Sequence, residues 1–258
     1  MSDAWEERAS PRAETMSELV VSRRCAGTQR TRSHSAMNLA LFDLDGTLLS
    51  GDSDLLWCGF LVDHGLLDDE FRRRGELLSQ SYIAGTVTQM DFCGFYAEIQ
   101  AGHRLSDLQP LRERFLCDVV LPRIPEDARA LLQRHREAGD TVVLTTATNR
   151  VVSELTAAEL GVDHYICTEL EQVDGRLSGR TAGLPNMREG KVHRLRQWLA
   201  QSGQPEHLLR DACFYTDSIN DLALLSAVRH PVVVDPDPRL ESAALRNRWK
   251  MLRLNRAR

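Results

Sequence analysis

Leu39-Ala40-Leu41-Phe42-Asp43-Leu44-Asp45-Gly46-Thr47-Leu48-Leu49 is the stretch whose reading decides the fold of this chain. An apolar run of strand character ends in two aspartates two residues apart and then turns on Gly46 and Thr47. Alternate residues of a strand share a face, so Asp43 and Asp45 start on one side, roughly 7 Å apart, where a loop begins. Two carboxylates that close repel each other unless one is protonated or a cation sits between them. A structural role rarely needs that arrangement, whereas a metal-assisted reaction does.

Working outward, the 258-residue length fits one large domain or a domain with a substantial insertion. The net charge of −5 argues against a protein built to coat nucleic acid. No apolar run approaches the ~20 residues that span a bilayer, so a membrane partner is not expected. The six cysteines (Cys25, Cys58, Cys93, Cys117, Cys167 and Cys213) are scattered without C-x-x-C spacing. They read as reduced thiols of a cytoplasmic protein.

Residues 1–36 are rich in Arg, Ser, Thr and Glu and carry one short apolar patch, Leu19-Val20-Val21. Such a segment buries too little surface to offset its ordering entropy. It has neither the apolar stretch of a secretory signal nor the acid-poor composition of a transit peptide. We expect a flexible, dispensable extension, with the folded chain starting at Met37. The arginines 23, 24, 30 and 32 read as solvated.

After the first strand, residues 54–124 read as an all-helical insertion. Thr88 with Asp91 and Ser106 with Gln109 have the spacing of helix N-terminal caps. The aromatic residues Phe92, Phe95, Tyr96 and Phe115 fall at core spacing. From Glu126 the pattern alternates. Helices are expected at 126–138, 150–160, 188–201, 221–228 and 239–248. Strands are expected at 141–145, 164–168, 212–216 and 231–234, with a hairpin over 169–180 turning at Asp174-Gly175. Alternating strands and helices predict an α/β fold, a mainly parallel Rossmann-like sheet between helices. The core then comprises residues 37–53 and 125–258, with the helical insertion at 54–124. In such sheets ligands bind beyond the carboxyl ends of the strands. Three strand ends carry polar groups there: Asp43/Asp45, Thr145/Thr146 and Asp217/Asp221.

Phe42-Asp43-Leu44-Asp45-Gly46-Thr47-Leu48 resembles the D-x-D-G-T motif of the haloacid dehalogenase (HAD) superfamily phosphatases. Three further motifs of that family follow in order. Val142-Val143-Leu144-Thr145-Thr146 is similar to its strand ending in Ser or Thr, with Thr146 the better match. Lys191 in Glu189-Gly190-Lys191 matches the lysine at a helix start. Asp217-Ser218-Ile219-Asn220-Asp221 resembles the acidic D-x-x-x-D strand end. Taken alone, that acidic pair also fits a loop followed by a helix cap. A helical insertion directly after the first motif looks like the cap of the phosphoserine-phosphatase-like branch.

The resemblance implies a phosphomonoesterase that forms an aspartyl-phosphate. It assigns the nucleophile to Asp43 and the acid/base to Asp45, a division that splits one hard displacement into two easier ones. It assigns Mg²⁺, a hard ion preferring oxygen ligands, to carboxylates of Asp43 and Asp217 and the carbonyl of Asp45. Asp221 either completes that acidic shell or positions Lys191. Lys191 and Thr146 are assigned the phosphoryl oxygens. Two positions depart from the family pattern. Thr216 replaces a glycine, and Thr145-Thr146-Ala147-Thr148-Asn149 replaces Ser-Gly-Gly.

Asp52 falls where phosphoserine phosphatases place an acid that meets the substrate ammonium. It either does so here or caps the helix beginning near Asp54. The expected partner is a small phosphorylated metabolite, an amino-alcohol or amino-acid phosphate such as histidinol phosphate or phosphoserine. A phosphotransferase or mutase of the same superfamily, or a non-catalytic binding protein on this fold, is the alternative. Free against transferred phosphate separates the first two. Arg72, Arg73 and Arg74 read either as a carboxylate site or as a solvated helix face.

Overall fold

The computed structural model describes residues 38–256. The expected extension over 1–36 and the start at Met37 lie outside the described residues. Strand β1 (Leu39–Phe42) is apolar throughout and fully buried. A continuous apolar run, unlike an alternating one, suits a parallel strand covered on both faces. Here β1 occupies the middle of a six-stranded sheet of order β3-β2-β1-β6-β7-β8. Its parallel neighbours are β2 (Thr141–Asn149) and β6 (Cys213–Thr216). The chain leaves β1 toward β2 and β3 (His164–Thr168) and returns on its other side through β6, β7 (His230–Val234) and β8 (Lys250–Leu252). That reversal makes the carboxyl end of β1 the switch point of the sheet, where a crevice opens.

Between β1 and β2 the described chain is helical, without a strand. It forms α1 (Ser53–Asp63), α2 (Asp69–Ala84), α3 (Gln89–Glu98) and α4 (Gln109–Phe115). A π-turn (Leu116–Val120) and a 3-10 turn (Leu121–Arg123) follow. Trp57 of α1 anchors the apolar centre of this layer, with its ring 5.0 Å from that of Phe115 and its indole N–H donating to Gln100 at 3.4 Å. Thr88 and Asp91 form the expected capping box at α3. Ser106 does not cap α4. The helix starts after Leu108 without a side-chain cap, and the Ser106 hydroxyl donates to Asp107 instead. Buried Arg112 pins α4 to the core by donating to the Val151 carbonyl at 2.7 Å and to Glu154 at 2.6 Å.

The remaining helices are α5 (Glu126–Ala138), α6 (Arg150–Leu160), α7 (Glu189–Gln201), α8 (His207–Asp211), α9 (Leu222–Ala227) and α10 (Pro238–Asn247). Among the described residues no helix is long and apolar enough to cross a membrane. The hairpin β4 (Leu170–Val173) and β5 (Arg176–Thr181) turns at Asp174-Gly175, with φ of 51° and 74°. Positive φ at both turn residues is the type I′ geometry that Asp-Gly favours.

Two expectations about extent change. Short α8 and edge strand β8 have no apolar period long enough to read from sequence. Strand β2 runs four residues past Thr145, with a register break against β3 between Thr145 and Asn149. Buried Asn186 spans that break. Its Nδ2 lies 3.0 Å from the Thr145 hydroxyl, 2.9 Å from the Thr146 carbonyl and 3.1 Å from the Ile166 carbonyl. A side chain thus supplies the contacts that the interrupted ladder lacks.

Candidate active site

The strand ends open into a cavity of about 290 Å³ lined by Asp43, Asp45, Asp52, Lys191, Asp217 and Asp221 together. Asp43 extends the ladder of β1, its backbone N–H donating to the Tyr215 carbonyl at 2.9 Å. Below its carboxylate, the buried Lys191 of α7 donates to Asp43 Oδ1 at 2.8 Å and to Asp221 Oδ2 at 2.7 Å. Asp221 also accepts the Thr216 hydroxyl at 2.7 Å. The threonine that departs from the family glycine therefore orients an acid that orients the lysine. Oδ2 of Asp221 is thus shared between Lys191 and Thr216.

Asp45 is gripped from two sides. The Ser53 amide at the start of α1 donates to Oδ1 at 2.7 Å, and the Thr148 hydroxyl donates to Oδ2 at 2.6 Å. Ser53 and Thr148 hydroxyls meet each other at 2.9 Å. This small network ties the first helix of the insertion to the end of β2 through the second aspartate. Asp217 accepts from the Thr47 hydroxyl at 3.3 Å. Gly46 has φ +68°, and a Cβ there would lie 2.0 Å from Asp217 Oδ2. The backbone turn thus comes hard against that carboxylate. Arg256 straps the same turn from outside, donating to the carbonyls of Gly46 and Thr47 and to Ser50 Oγ, and pairing with Asp235 at 2.8 Å.

So many acids in one cavity shift one another. Burial pushes the Asp43 carboxyl up to about 7. Lys191 opposes this, while Asp221 and Asp45 add to it. Asp217 is raised well above its ordinary value by burial, then by Asp43 and Asp221. Asp45 is also raised by burial, against the hydrogen bonds from Ser53 and Thr148. An upward shift of its carboxyl is the direction a general acid needs. Burial disfavours the Lys191 ammonium, but Asp221 and Asp43 outweigh it and raise its pKa. Removing this cation strands two buried carboxylates, so Lys191→Met is expected to cost about 3–5 kcal/mol of unfolding free energy. Urea denaturation measures this, and a cost under about 1 kcal/mol contradicts it.

The donor chemistry fits a hard divalent cation. Asp43 and Asp217 offer carboxylate oxygens, the Asp43 charge adds to the upward shift of Asp217, and an added cation relieves that excess. Among the described residues no three Asp, Glu, His or Cys side chains already converge as a ready metal cluster. Two carboxylates plus a backbone carbonyl suit Mg²⁺, which keeps several waters.

Other expected residues are placed differently. Thr146 is fully buried and does not line the cavity, because its hydroxyl turns back to accept the Thr148 amide at 3.2 Å. Thr148, not singled out from sequence, is the threonine on the wall. Asp52 caps α1, accepting from the Leu55 amide at 3.0 Å, and also lines the cavity. Beside it, Asp54 is buried, lines the cavity and accepts from Asn149 Nδ2 at 3.2 Å. Arg72 and Arg73 pair with Asp63 and Glu70, and Arg74 lies over Phe71 and Phe95, so this run is a helix face away from the cavity.

The haloacid dehalogenase-like hydrolase family model matches residues 40–226. A histidinol-phosphatase of Neisseria meningitidis is 36% identical over 217 residues, which are 83% of this chain and 98% of that protein. A phosphoserine phosphatase of Mycobacterium tuberculosis is 30% identical over 237 residues, covering 88% of this chain and 74% of its own. The crystal structure of a Bordetella pertussis protein of unknown function matches with a TM-score of 0.80 at 40% identity, over 84% of this chain and 99% of that one. The chain belongs to the haloacid dehalogenase-like hydrolases, and within them to the phosphatases of the phosphoserine-phosphatase-like branch.

Proposed function

We propose that this phosphatase hydrolyses a small amine-bearing phosphate monoester through an aspartyl-phosphate on Asp43, with Mg²⁺ as cofactor. One observation carries the reading: Asp43 lies at the cavity end of β1, fixed by Lys191, with Asp45 separately held two residues on. Bound between Asp43, Asp217 and the Asp45 carbonyl, Mg²⁺ would neutralise phosphoryl oxygens. An Asp43 oxygen attacks phosphorus while the bond to the leaving alkoxide breaks. Asp45 gives that alkoxide its proton. Water then attacks the aspartyl-phosphate as Asp45 takes its proton back, releasing inorganic phosphate and restoring both acids. Lys191 holds Asp43 in line and adds positive charge beside the phosphoryl group.

We read the helices of residues 54–124 as a cap, because Asp54, Ser79, Tyr82 and Phe92 line the cavity from that segment. Asp52 is the proposed partner of the substrate ammonium, and relatives bearing the names histidinol-phosphatase and phosphoserine phosphatase make those two esters the leading candidates. The thiols of the five described cysteines are free, in keeping with a cytoplasmic setting.

A screen of phosphorylated metabolites with Mg²⁺, read as inorganic phosphate released, is expected to rank amine-bearing esters first. A preference for amine-free sugar phosphates contradicts the substrate class. The Asp52 carboxyl stands at about 7, raised by burial and then by Asp45. Its charged form, the one that attracts an ammonium, therefore grows as pH rises through about 7. We expect kcat/KM for the amine ester to rise over that window relative to p-nitrophenyl phosphate, a ratio in which Asp43 cancels. Asp52→Asn should flatten the ratio and lower it about 10-fold, as expected for loss of one charged contact.

A further inference from the structure

The cavity wall carries six aspartates but, among the described residues, two cations, Lys191 and Arg188. Lys191 is spent on Asp43 and Asp221. Arg188, three residues earlier, makes no ion pair among the described residues despite those acids. Its guanidinium carbon lies 4.7 Å from the ring centroid of Tyr82 on α2. Its Nε is buried with no hydrogen-bond partner among the described residues. An arginine in that state has planar, forked donors to spare and an aromatic face holding them in place.

The backbone adds an independent observation. Arg188 has φ 48° and ψ −123°, a region that glycine adopts freely and a side-chain-bearing residue does not. A residue with a side chain stands where the fold alone is better served by none. Strain of this kind at a cavity wall points to a use for the side chain.

We propose that Arg188 is a specificity-determining residue whose guanidinium grips an anionic oxygen of the bound phosphate ester. The proposal rests on the phosphatase reading above and adds to it the missing free cation of the pocket. Tyr82 then acts as a positioning residue, stacking under the guanidinium from the helical layer. The anionic oxygen has two sources. Phosphoryl oxygens are common to every ester and to inorganic phosphate. A carboxylate is present in phosphoserine and absent from histidinol phosphate.

The test compares the full-length protein with Arg188→Met, Arg188→Lys and Arg188→Gly in saturating Mg²⁺. It measures kcat and KM for p-nitrophenyl phosphate, phosphoserine and histidinol phosphate, the inhibition constant of inorganic phosphate, and the thermal midpoint. Loss of a forked charged contact is expected to raise KM about 10-fold in the Met and Gly variants, with partial recovery in Lys. A parallel rise for all esters and for inorganic phosphate assigns the phosphoryl group. A rise confined to phosphoserine assigns the carboxylate. Arg188→Gly relieves the backbone, so its midpoint should equal or exceed that of the parent while KM rises. A merely structural arginine gives the opposite pair, a lower midpoint with KM unchanged. KM and inhibition constants within about twofold of the parent in both Met and Gly variants overturn the proposal, since a charged contact is worth more than that. A parent protein that hydrolyses none of the three esters overturns the phosphatase reading itself, and this proposal with it.

Discussion

Asp43→Asn is expected to lower kcat at least about 10⁴-fold on every substrate, because in the proposed mechanism the group that bonds to phosphorus is gone while the pocket persists. The amide keeps the size of the carboxylate and can still accept from Lys191, which stays paired with Asp221 at 2.7 Å. Losing a carboxylate whose pKa is held up at about 7 also relieves crowding among the acids of the cavity. Turnover should therefore vanish while the unfolding midpoint holds or rises. Measuring kcat beside a thermal melt separates this outcome from simple unfolding. Full Mg²⁺-dependent activity in Asp43→Asn would remove the nucleophile from the mechanism.

The second large effect comes from a residue with no side chain. In Gly46→Ala the new methyl would stand 2.0 Å from Asp217 Oδ2 and 2.4 Å from its Cγ. Contacts that short cannot survive, so Asp217 must swing away from the end of β1. The backbone at φ +68° adds about 1 kcal/mol of strain for any residue with a Cβ. We expect the Mg²⁺ concentration for half-maximal activity to rise at least about 10-fold, as it does when a metal ligand is misplaced. Activity at saturating Mg²⁺ should recover in part. A titration of activity against Mg²⁺ reads both numbers, and an unchanged half-saturation point contradicts the placing of Asp217 at the metal.

What could be read from the sequence, and what could not, divides along contact distance. The central strand was legible because four consecutive apolar residues before paired acids have few other uses. The helix–strand alternation after Glu126 was legible because each element carries its own period and closing signal, such as Gly139 and Gly161 in left-handed conformation after α5 and α6. The acids and Lys191 were legible as motifs, and the cavity gathers Asp43, Asp45, Lys191, Asp217 and Asp221. The residues that hold those acids were not. Thr148 meets Asp45 across 103 positions, and Asn186 meets Thr146 across 40. Neither threonine nor asparagine announces such a partner locally. Thr216 looked like a lost glycine, and its value appears with the 2.7 Å bond to Asp221. Arg188 carries no sequence signal of its own, since its meaning lies in a backbone angle and in Tyr82. Thr146 lies behind Thr148 rather than on the cavity wall, and its setting was hidden for a related reason. The end of β2 was read at Thr145 because the polar residues after it break the apolar pattern, whereas the ladder runs on to Asn149.

Trapping a phosphoryl group on Asp43 is the sharpest test of the proposed mechanism. The protein is mixed with Mg²⁺ and excess substrate, quenched in acid within the first turnovers, digested and mapped by mass spectrometry. A phosphoryl group is expected on the peptide containing Asp43, absent from the same peptide of Asp43→Asn and lost when the quench is delayed beyond substrate depletion. A phosphoryl group on any other residue would contradict that mechanism.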